Sequence, residues 1–318
     1  MRALGRHAWT GGLLLGLLLL LLLTRAIQPS FGASGLESLA RASLPFAFAT
    51  AAMAIVVIAG GIDLSIASMM AVCGVTAAVL MEAWGPAGTV PALLAVLALG
   101  LLMGAVNGAL IVLTRVPDIV VTLSMLFVWE GTALLVLNAP GGAVTPWLSQ
   151  VILGTLAESG PLALLPWALV VLGVILAALW LPLRRARLGL SIYAIGSDST
   201  AAFRSGVAVG PTRVAAYALA GLLSAFGGLS LTLQTGVGEP IPGPYLLPAV
   251  AAVVLGGVSL TGGIGGLLGP ILAVLILRTV RLDLTLLSVD PNVATIIEGT
   301  IMAAVVMLGG LLAMRRRT

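Results

Sequence analysis

The residues in this chain that could do chemistry are few, and what is missing is informative. All fifteen basic residues are arginine; there is no lysine. A P-loop needs a lysine after its second glycine to reach the nucleotide phosphates, so the chain cannot use ATP in that way. The loop Ser259-Leu260-Thr261-Gly262-Gly263-Ile264-Gly265-Gly266 is glycine-rich. It lacks both that spacing and a basic residue, and predicts a tight turn between close-packed helices. There is one cysteine, Cys73, and one histidine, His7. They supply no metal-ligand cluster, no intrachain disulfide and no catalytic triad. No catalytic residue, metal or cofactor is therefore expected, and Cys73, inside an apolar run, reads as a small buried residue.

The remaining candidates are polar side chains embedded in apolar sequence, where an ionisable group costs roughly 2.5–3.5 kcal/mol on insertion scales. Asp63 follows the pair Gly60-Gly61 and precedes Ser65. It can cap the helix that follows by accepting amide hydrogen bonds, or it can touch a solute; capping is the favoured role. Glu130 lies deep in an apolar run and is expected to face the protein interior or a water-filled path. Asn107, Thr122, Ser124 and Gln234 could hydrogen-bond a hydroxylated solute, but each could as readily join helices to one another. Together Asp63, Ser65, Asn107, Thr122, Ser124, Glu130 and Gln234 are the candidates for a translocation path. Glu298 is expected near enough to a helix end to be solvated.

The elements that must hold these residues follow from composition. Hydrophobic residues make up 60% of the chain and charged residues 8%, against about 25% charged in a soluble domain. The mean hydropathy is +1.20. Such a chain can cover itself only in lipid, where the backbone must satisfy its own hydrogen bonds in helices or a closed barrel. The apolar runs are long and continuous rather than alternating, which selects an all-α integral membrane protein. A spanning helix needs about 20 apolar residues. The predicted spans are 9–27, 39–59, 66–82, 90–113, 119–137, 161–182, 212–235, 246–259, 266–282 and 294–313, about ten helices, some interrupted at Gly-Gly elements, in one domain over 1–318. The first resembles a signal peptide, but Thr24-Arg25-Ala26-Ile27 is a poor cleavage site and a retained helix is expected.

Orientation follows from the arginines. With the N-terminus in the cytoplasm, Arg2, Arg6, Arg115, Arg184, Arg185, Arg187, Arg204, Arg213, Arg315, Arg316 and Arg317 lie inside, and only Arg25, Arg41, Arg278 and Arg281 near the outer face. The positive-inside rule then puts both termini in the cytoplasm. Glu37, Glu82, Glu158, Glu239, Asp283 and Asp290 fall outside. An isoelectric point near 10 does not indicate nucleic acid, because the arginines sit at the ends of apolar segments.

The longest polar stretch, 184–213, is cytoplasmic in this topology. Ser197 to Thr200 is rich in N-cap residues and Gly206 is a natural stop, so a helix of about two turns is predicted between them. It is either a loop resting on the membrane or a lever that docks on a partner. A second pattern is internal: Val57-Ile58-Ala59-Gly60-Gly61-Ile62-Asp63-Leu64-Ser65 is echoed by Val253-Val254-Leu255-Gly256-Gly257-Val258-Ser259-Leu260-Thr261. Interrupted helices in two related halves are a common way to build a transporter.

Taken in order, these blocks resemble one family. Gly60-Gly61-Ile62-Asp63-Leu64-Ser65-Ile66-Ala67-Ser68 resembles the GGIDLSVGS signature of ribose-type permeases of bacterial ABC sugar importers. Asn107-Gly108, Arg115-Val116-Pro117 and Thr122-Leu123 resemble the next block. Tyr193-Ala194-Ile195-Gly196 through Ala201-Ala202 and Ser205-Gly206 resembles the YAIGGN…AA…SG block, and Ala251 to Gly263 resembles AAVVLGGTSLTGG. The resemblance covers most of the chain. It implies a permease subunit in the bacterial inner membrane that pairs with a second copy or a sister permease. Two cytoplasmic ABC ATPase subunits would drive it and a periplasmic or lipid-anchored solute-binding protein would supply it. It also implies that Ala194, Ile195, Gly196, Ser197, Asp198, Ala201, Ala202, Arg204, Ser205 and Gly206 contact the ATPase. Four positions depart from the pattern: Ala67 replaces a usual glycine, Ser197-Asp198 replaces Gly-Asn, Phe203 replaces a usual arginine, and Asp118 stands where an apolar residue is usual. The expected function is translocation of a monosaccharide or related small polyol by alternating access. The alternatives are a permease for branched-chain amino acids or nucleosides, and an ion-driven secondary transporter with Glu130 or Asp63 in the ion path.

Overall fold

A computed structural model describes residues 2–157, 160–241 and 243–315. Glu158, Arg316 and Arg317, used above for orientation, lie outside the described residues. Those that are described form helices joined by short loops, with no strand beyond two isolated bridges, Gly141 to Gly238 and Thr155 to Pro166. The helices are α1 (Arg2–Ile27), α2 (Ala33–Ile58), α3 (Ile66–Trp84), α4 (Thr89–Thr114), α5 (Asp118–Val136), α6 (Pro146–Gln150), α7 (Trp167–Arg185), α8 (Arg187–Ser197), α9 (Ser199–Arg204), α10 (Val209–Thr235), α11 (Leu246–Leu255), α12 (Leu268–Leu286) and α13 (Pro291–Arg315).

Each predicted span meets a helix, with informative differences. Among the described residues seven helices, α1 to α5, α7 and α10, are long and apolar enough to cross a membrane. The eighth predicted span, 246–259, stops at Leu255 because the chain turns at Gly256-Gly257. The ninth, 266–282, runs on to Leu286, with Arg278, Arg281 and Asp283 inside the helix. The start of the sixth, at 161–164, is a single 3-10 turn that ends at a proline-led helix start, Pro166-Trp167.

The core is built on α2. From Leu44 to Ala59 every residue but Phe46 is buried, because its alanine-rich sequence offers neighbouring helices a narrow surface on every side. The closest packing is α4 against α10. Gly100, Gly104 and Gly108 recur at four-residue spacing on one face of α4, and a Cβ on any of them would run into α10 at Gly221, Tyr217 or Val214. Small residues at this spacing let two helix backbones touch, which is how membrane helices gain packing without a hydrophobic driving force. Gly74 of α3 meets Gly228 of α10 in the same way.

By contrast α1 is peripheral. Leu14, Leu15, Leu18, Leu19, Leu22 and Leu23 are exposed. Two of its polar contacts reach α11 and α12. The Thr24 hydroxyl donates to Asp283 Oδ1 of α12 at 2.7 Å, buried, and the Trp9 indole donates to the Leu255 carbonyl at 3.0 Å. Glu298 differs from the sequence expectation: instead of being solvated it is 15% exposed and paired with Arg281 at 2.6 Å.

Candidate functional site

The two Gly-Gly segments end their helices alike. After α2, the Gly60 amide bonds to the Val57 carbonyl and the Gly61 amide to Val56. After α11, the Gly257 amide bonds to Val254 and the Val258 amide to Val253. Both are Schellman closures, which need a left-handed residue, and Gly60 and Gly257 each have φ near +83°. The backbone equivalence therefore pairs Gly60 with Gly257, one residue away from the sequence alignment, which pairs Gly60 with Gly256.

The turn after α2 meets the Gly262-Gly263 turn of the loop that follows α11, and 194–197 lies against both. The Gly263 amide donates to the Ile58 carbonyl at 2.9 Å. Gly196, at the end of α8, lies against both: a Cβ there would strike the Ile58 carbonyl and the Gly263 amide. The Tyr193 hydroxyl donates to the Gly265 carbonyl at 2.7 Å. Three segments from distant parts of the chain thus meet backbone to backbone.

Beyond this junction α9 projects. Asp198 is its N-cap, accepting from the amides of Thr200 and Ala201 at 2.8 and 2.9 Å. Gly206, φ +84°, ends it. Ser197, Asp198, Ala201, Arg204, Ser205 and Gly206 are exposed, and Phe203 is 71% exposed; Ile195, Gly196 and Ala202 are buried and Ala194 half-buried. The predicted short helix is present at six residues. The extra helix α8, which carries it, was not expected, because Gly189 and Gly196 weaken its local helical signal. They are needed for close approach, Gly189 to Leu183 and Gly196 to Ile58.

On the other side of Gly60-Gly61 the chain enters a buried polar network. Asp63 Oδ1 accepts from the Ser65 amide at 2.9 Å and its hydroxyl at 2.7 Å. The α3 N-cap position belongs to Ser65, with no side-chain capping bond, so Asp63 braces the turn two residues earlier as an Asx-turn. Asn107 of α4 donates to the Ser65 hydroxyl at 2.7 Å and accepts from the Trp129 indole of α5 at 3.2 Å. Thr122 of α5 accepts from the Leu64 amide at 3.1 Å. Asp118 Oδ2 accepts from the Ile62 amide at 2.8 Å and from the Tyr217 hydroxyl at 3.2 Å. A side chain at Gly61 would collide with both Tyr217 and Asp118. A cleft of about 390 Å³ opens beside Asp118, lined by Arg115 and Arg213 among others.

The seven path candidates therefore divide. Asp63, Ser65, Asn107 and Thr122 come together with no exposure, and their polar atoms are occupied by the protein apart from Asp63 Oδ2, which has no partner among the described residues. Ser124 is exposed, its hydroxyl returned to the Val120 carbonyl; Glu130 is half-buried; Gln234 is exposed. These three do not join the cluster. Asp118, Tyr217 and Trp129 were missed as members. Asp118 had one signal, an acid directly after Arg115-Val116-Pro117, at the first turn of a helix where a negative charge is favourable. Tyr217 had none, since its partners lie 99 and 155 residues away.

Three comparisons bear on this geometry. The chain is 30% identical over 299 residues to the ribose import permease protein RbsC of Escherichia coli K12, covering 93% of this chain and 92% of that one. It is 31% identical over 267 residues to the autoinducer 2 import system permease protein LsrD of Escherichia coli K12, covering 80% and 77%. No solved structure is similar at a significant level. Residues 35–306 match the family described as the permease component of the branched-chain amino acid transport system, and with seven apolar helices of spanning length the chain belongs to that permease family and is a multi-pass membrane protein.

Proposed function

We propose that this chain is the membrane-spanning subunit of an ATP-binding-cassette importer for a monosaccharide or related small polyol. The observation that carries the mechanism is the junction of Gly196 with the turn after α2 and with Gly262-Gly263 in the loop after α11. A protein that pushes on the exposed α9 would move α8, and through Gly196 it would move the end of α2 and the loop between α11 and α12 with no side chain to absorb the displacement. This suits a chain that cannot use a P-loop itself: ATP is hydrolysed by a separate cytoplasmic ATPase dimer docked on 194–206, and rigid helices rock between two arrangements. The solute class follows from the relatives, whose names give ribose and autoinducer 2 as cargo.

The same proposal includes one permease domain over 1–318 with ten crossings, α1 to α5, α7 and α10 to α13, and both termini in the cytoplasm. It further includes a second permease copy or sister permease and a secreted or lipid-anchored binding protein. The buried cluster around Asp63 has a structural task here: it fixes the α2–α3 turn against α4, α5 and α10, so that a push at Gly196 reaches the helices undiminished.

The test is reconstitution of the permease with its ATPase and binding protein in proteoliposomes. ATP-dependent uptake of a pentose or a related polyol, absent when any one component is left out, is the expected result. Uptake of leucine but no sugar would overturn the solute class, and uptake driven by an ion gradient without ATPase would overturn the mechanism.

A further inference from the structure

Arg278 is a cation at the middle of a helix and, among the described residues, no acid is paired with it. It stands ten residues after Leu268 and eight before Leu286 in α12, or about 15 and about 12 Å from the ends at the helical rise. In a crossing helix that is close to the centre of the roughly 30 Å hydrocarbon layer, deeper than the outer-face position expected from the shorter predicted span 266–282, and there a charged side chain is expensive and marks a functional site by default. Among the described residues Arg278 donates no hydrogen bond and forms no ion pair, whereas its neighbour Arg281 takes Glu298.

What surrounds it is aromatic. The guanidinium lies over the Phe46 ring of α2, 4.9 Å from its centroid. Tyr245, just before α11, packs on the same Phe46 with ring centroids 4.5 Å apart. The Tyr245 hydroxyl also has no hydrogen-bond partner among the described residues. Phe46, Tyr245 and Arg278 are each partly exposed, unlike the sealed network around Asp63.

We infer that Arg278, Phe46 and Tyr245 form a contact site for the transported solute, a neutral polyhydroxylated ring. This rests on the importer role proposed above. The apolar face of such a ring packs against aromatic side chains, while a planar guanidinium fork and a phenol at the edge of the patch hydrogen-bond its hydroxyls. The Arg281–Glu298 pair borders Arg278 electrostatically and adds polar atoms with no net charge, which suits a neutral polyol. The donors of Asp63, Ser65, Asn107 and Thr122 are spent on the protein; those of Arg278 and Tyr245 remain for a ligand. The site also joins α2, whose C-terminal turn meets Gly196, to the start of α11.

The experiment measures sugar uptake by the complete importer in proteoliposomes. Assembly of each variant is verified by copurification with the ATPase. Arg278→Met keeps the length of the side chain and removes its donors. It is expected to raise the KM for uptake at least tenfold, with Tyr245→Phe raising it about threefold and Arg278→Lys intermediate. The decisive reading uses deoxy analogues of the sugar. In the wild type, loss of the hydroxyl that meets Arg278 raises KM; in Arg278→Met the sugar and that analogue become equivalent. A merely structural arginine would leave their ratio unchanged. Wild-type KM in Arg278→Met and Tyr245→Phe, or equal loss for the sugar and every analogue, would overturn the site. If Arg278→Met fails to assemble, Arg278→Lys and Tyr245→Phe decide by the same ratio. Absence of sugar uptake by the wild-type complex would instead overturn the importer role, and this site with it.

Discussion

Asp118 shows how much one carboxylate can hold. Its Oδ2 receives the Ile62 amide and the Tyr217 hydroxyl, tying the α2–α3 turn to α5 and α10. Asp118→Ala leaves the Ile62 amide without an acceptor and the Tyr217 hydroxyl with only the Ile62 carbonyl at 3.4 Å, and a buried unpaired group costs about 1–3 kcal/mol. A clear fall in the unfolding temperature of the detergent-solubilised protein is expected. Asp118→Asn keeps an acceptor oxygen and should lose less; equal unfolding temperatures for wild type and Asp118→Ala would contradict the bonding described. At this scale the sequence was half legible. A carboxylate beside paired glycines announces a braced turn, so the amide bond that Asp63 accepts from Ser65 was foreseeable. That Asn107 and Thr122 reach the same turn was not, because an uncharged polar residue in an apolar run gives no sign of the side it faces. Ser124 and Gln234 carried the same signal and lie exposed.

For helices and turns, the sensitive point is the junction. Gly196→Ala would put a methyl into the Ile58 carbonyl and the Gly263 amide, backbone atoms that cannot rotate away. The expected outcome is an assembled complex that hydrolyses ATP but takes up at most a tenth as much solute per ATP, read by measuring both rates on one sample. Gly206→Pro and Arg204→Glu act one step further out. The first demands φ near −65° where the chain has +84°, and the second reverses the charge at the end of α9; both are expected to uncouple hydrolysis from uptake. Wild-type coupling in all three would refute transmission through 194–206. Apolar length located the helices, and Gly-Gly located the breaks. Local sequence could not show that the first break touches Gly262-Gly263, or that the equivalence of the two breaks is shifted by one residue, since the shift follows from which amide closes each Schellman turn.

For the whole molecule, orientation is the expectation most open to a direct check. Cys73 is buried, and Cys73→Ala gives a thiol-free background. Ile241, in the loop before α11, and Phe203, in α9, are 63% and 71% exposed, on segments placed outside and inside by the arginine count. In intact spheroplasts an impermeant maleimide should label Ile241→Cys within minutes and leave Phe203→Cys unlabelled until the membrane is opened; the reverse pattern would invert the topology. Charge bias and hydropathy sufficed for that expectation, whereas the way α1 is attached could not be read from them. Thr24 and Asp283 are separated by 259 positions. At about 5–20 residues per second of synthesis, α1 waits in the bilayer for roughly 10–50 s before its partner emerges. The nascent chain therefore has a temporal order: a leucine-faced helix stands by with one hydroxyl on offer, and a late-arriving carboxylate enters lipid only because that hydroxyl is already there. Thr24→Val should leave insertion of α1 intact and delay the last act of assembly, a defect of timing rather than of membrane targeting.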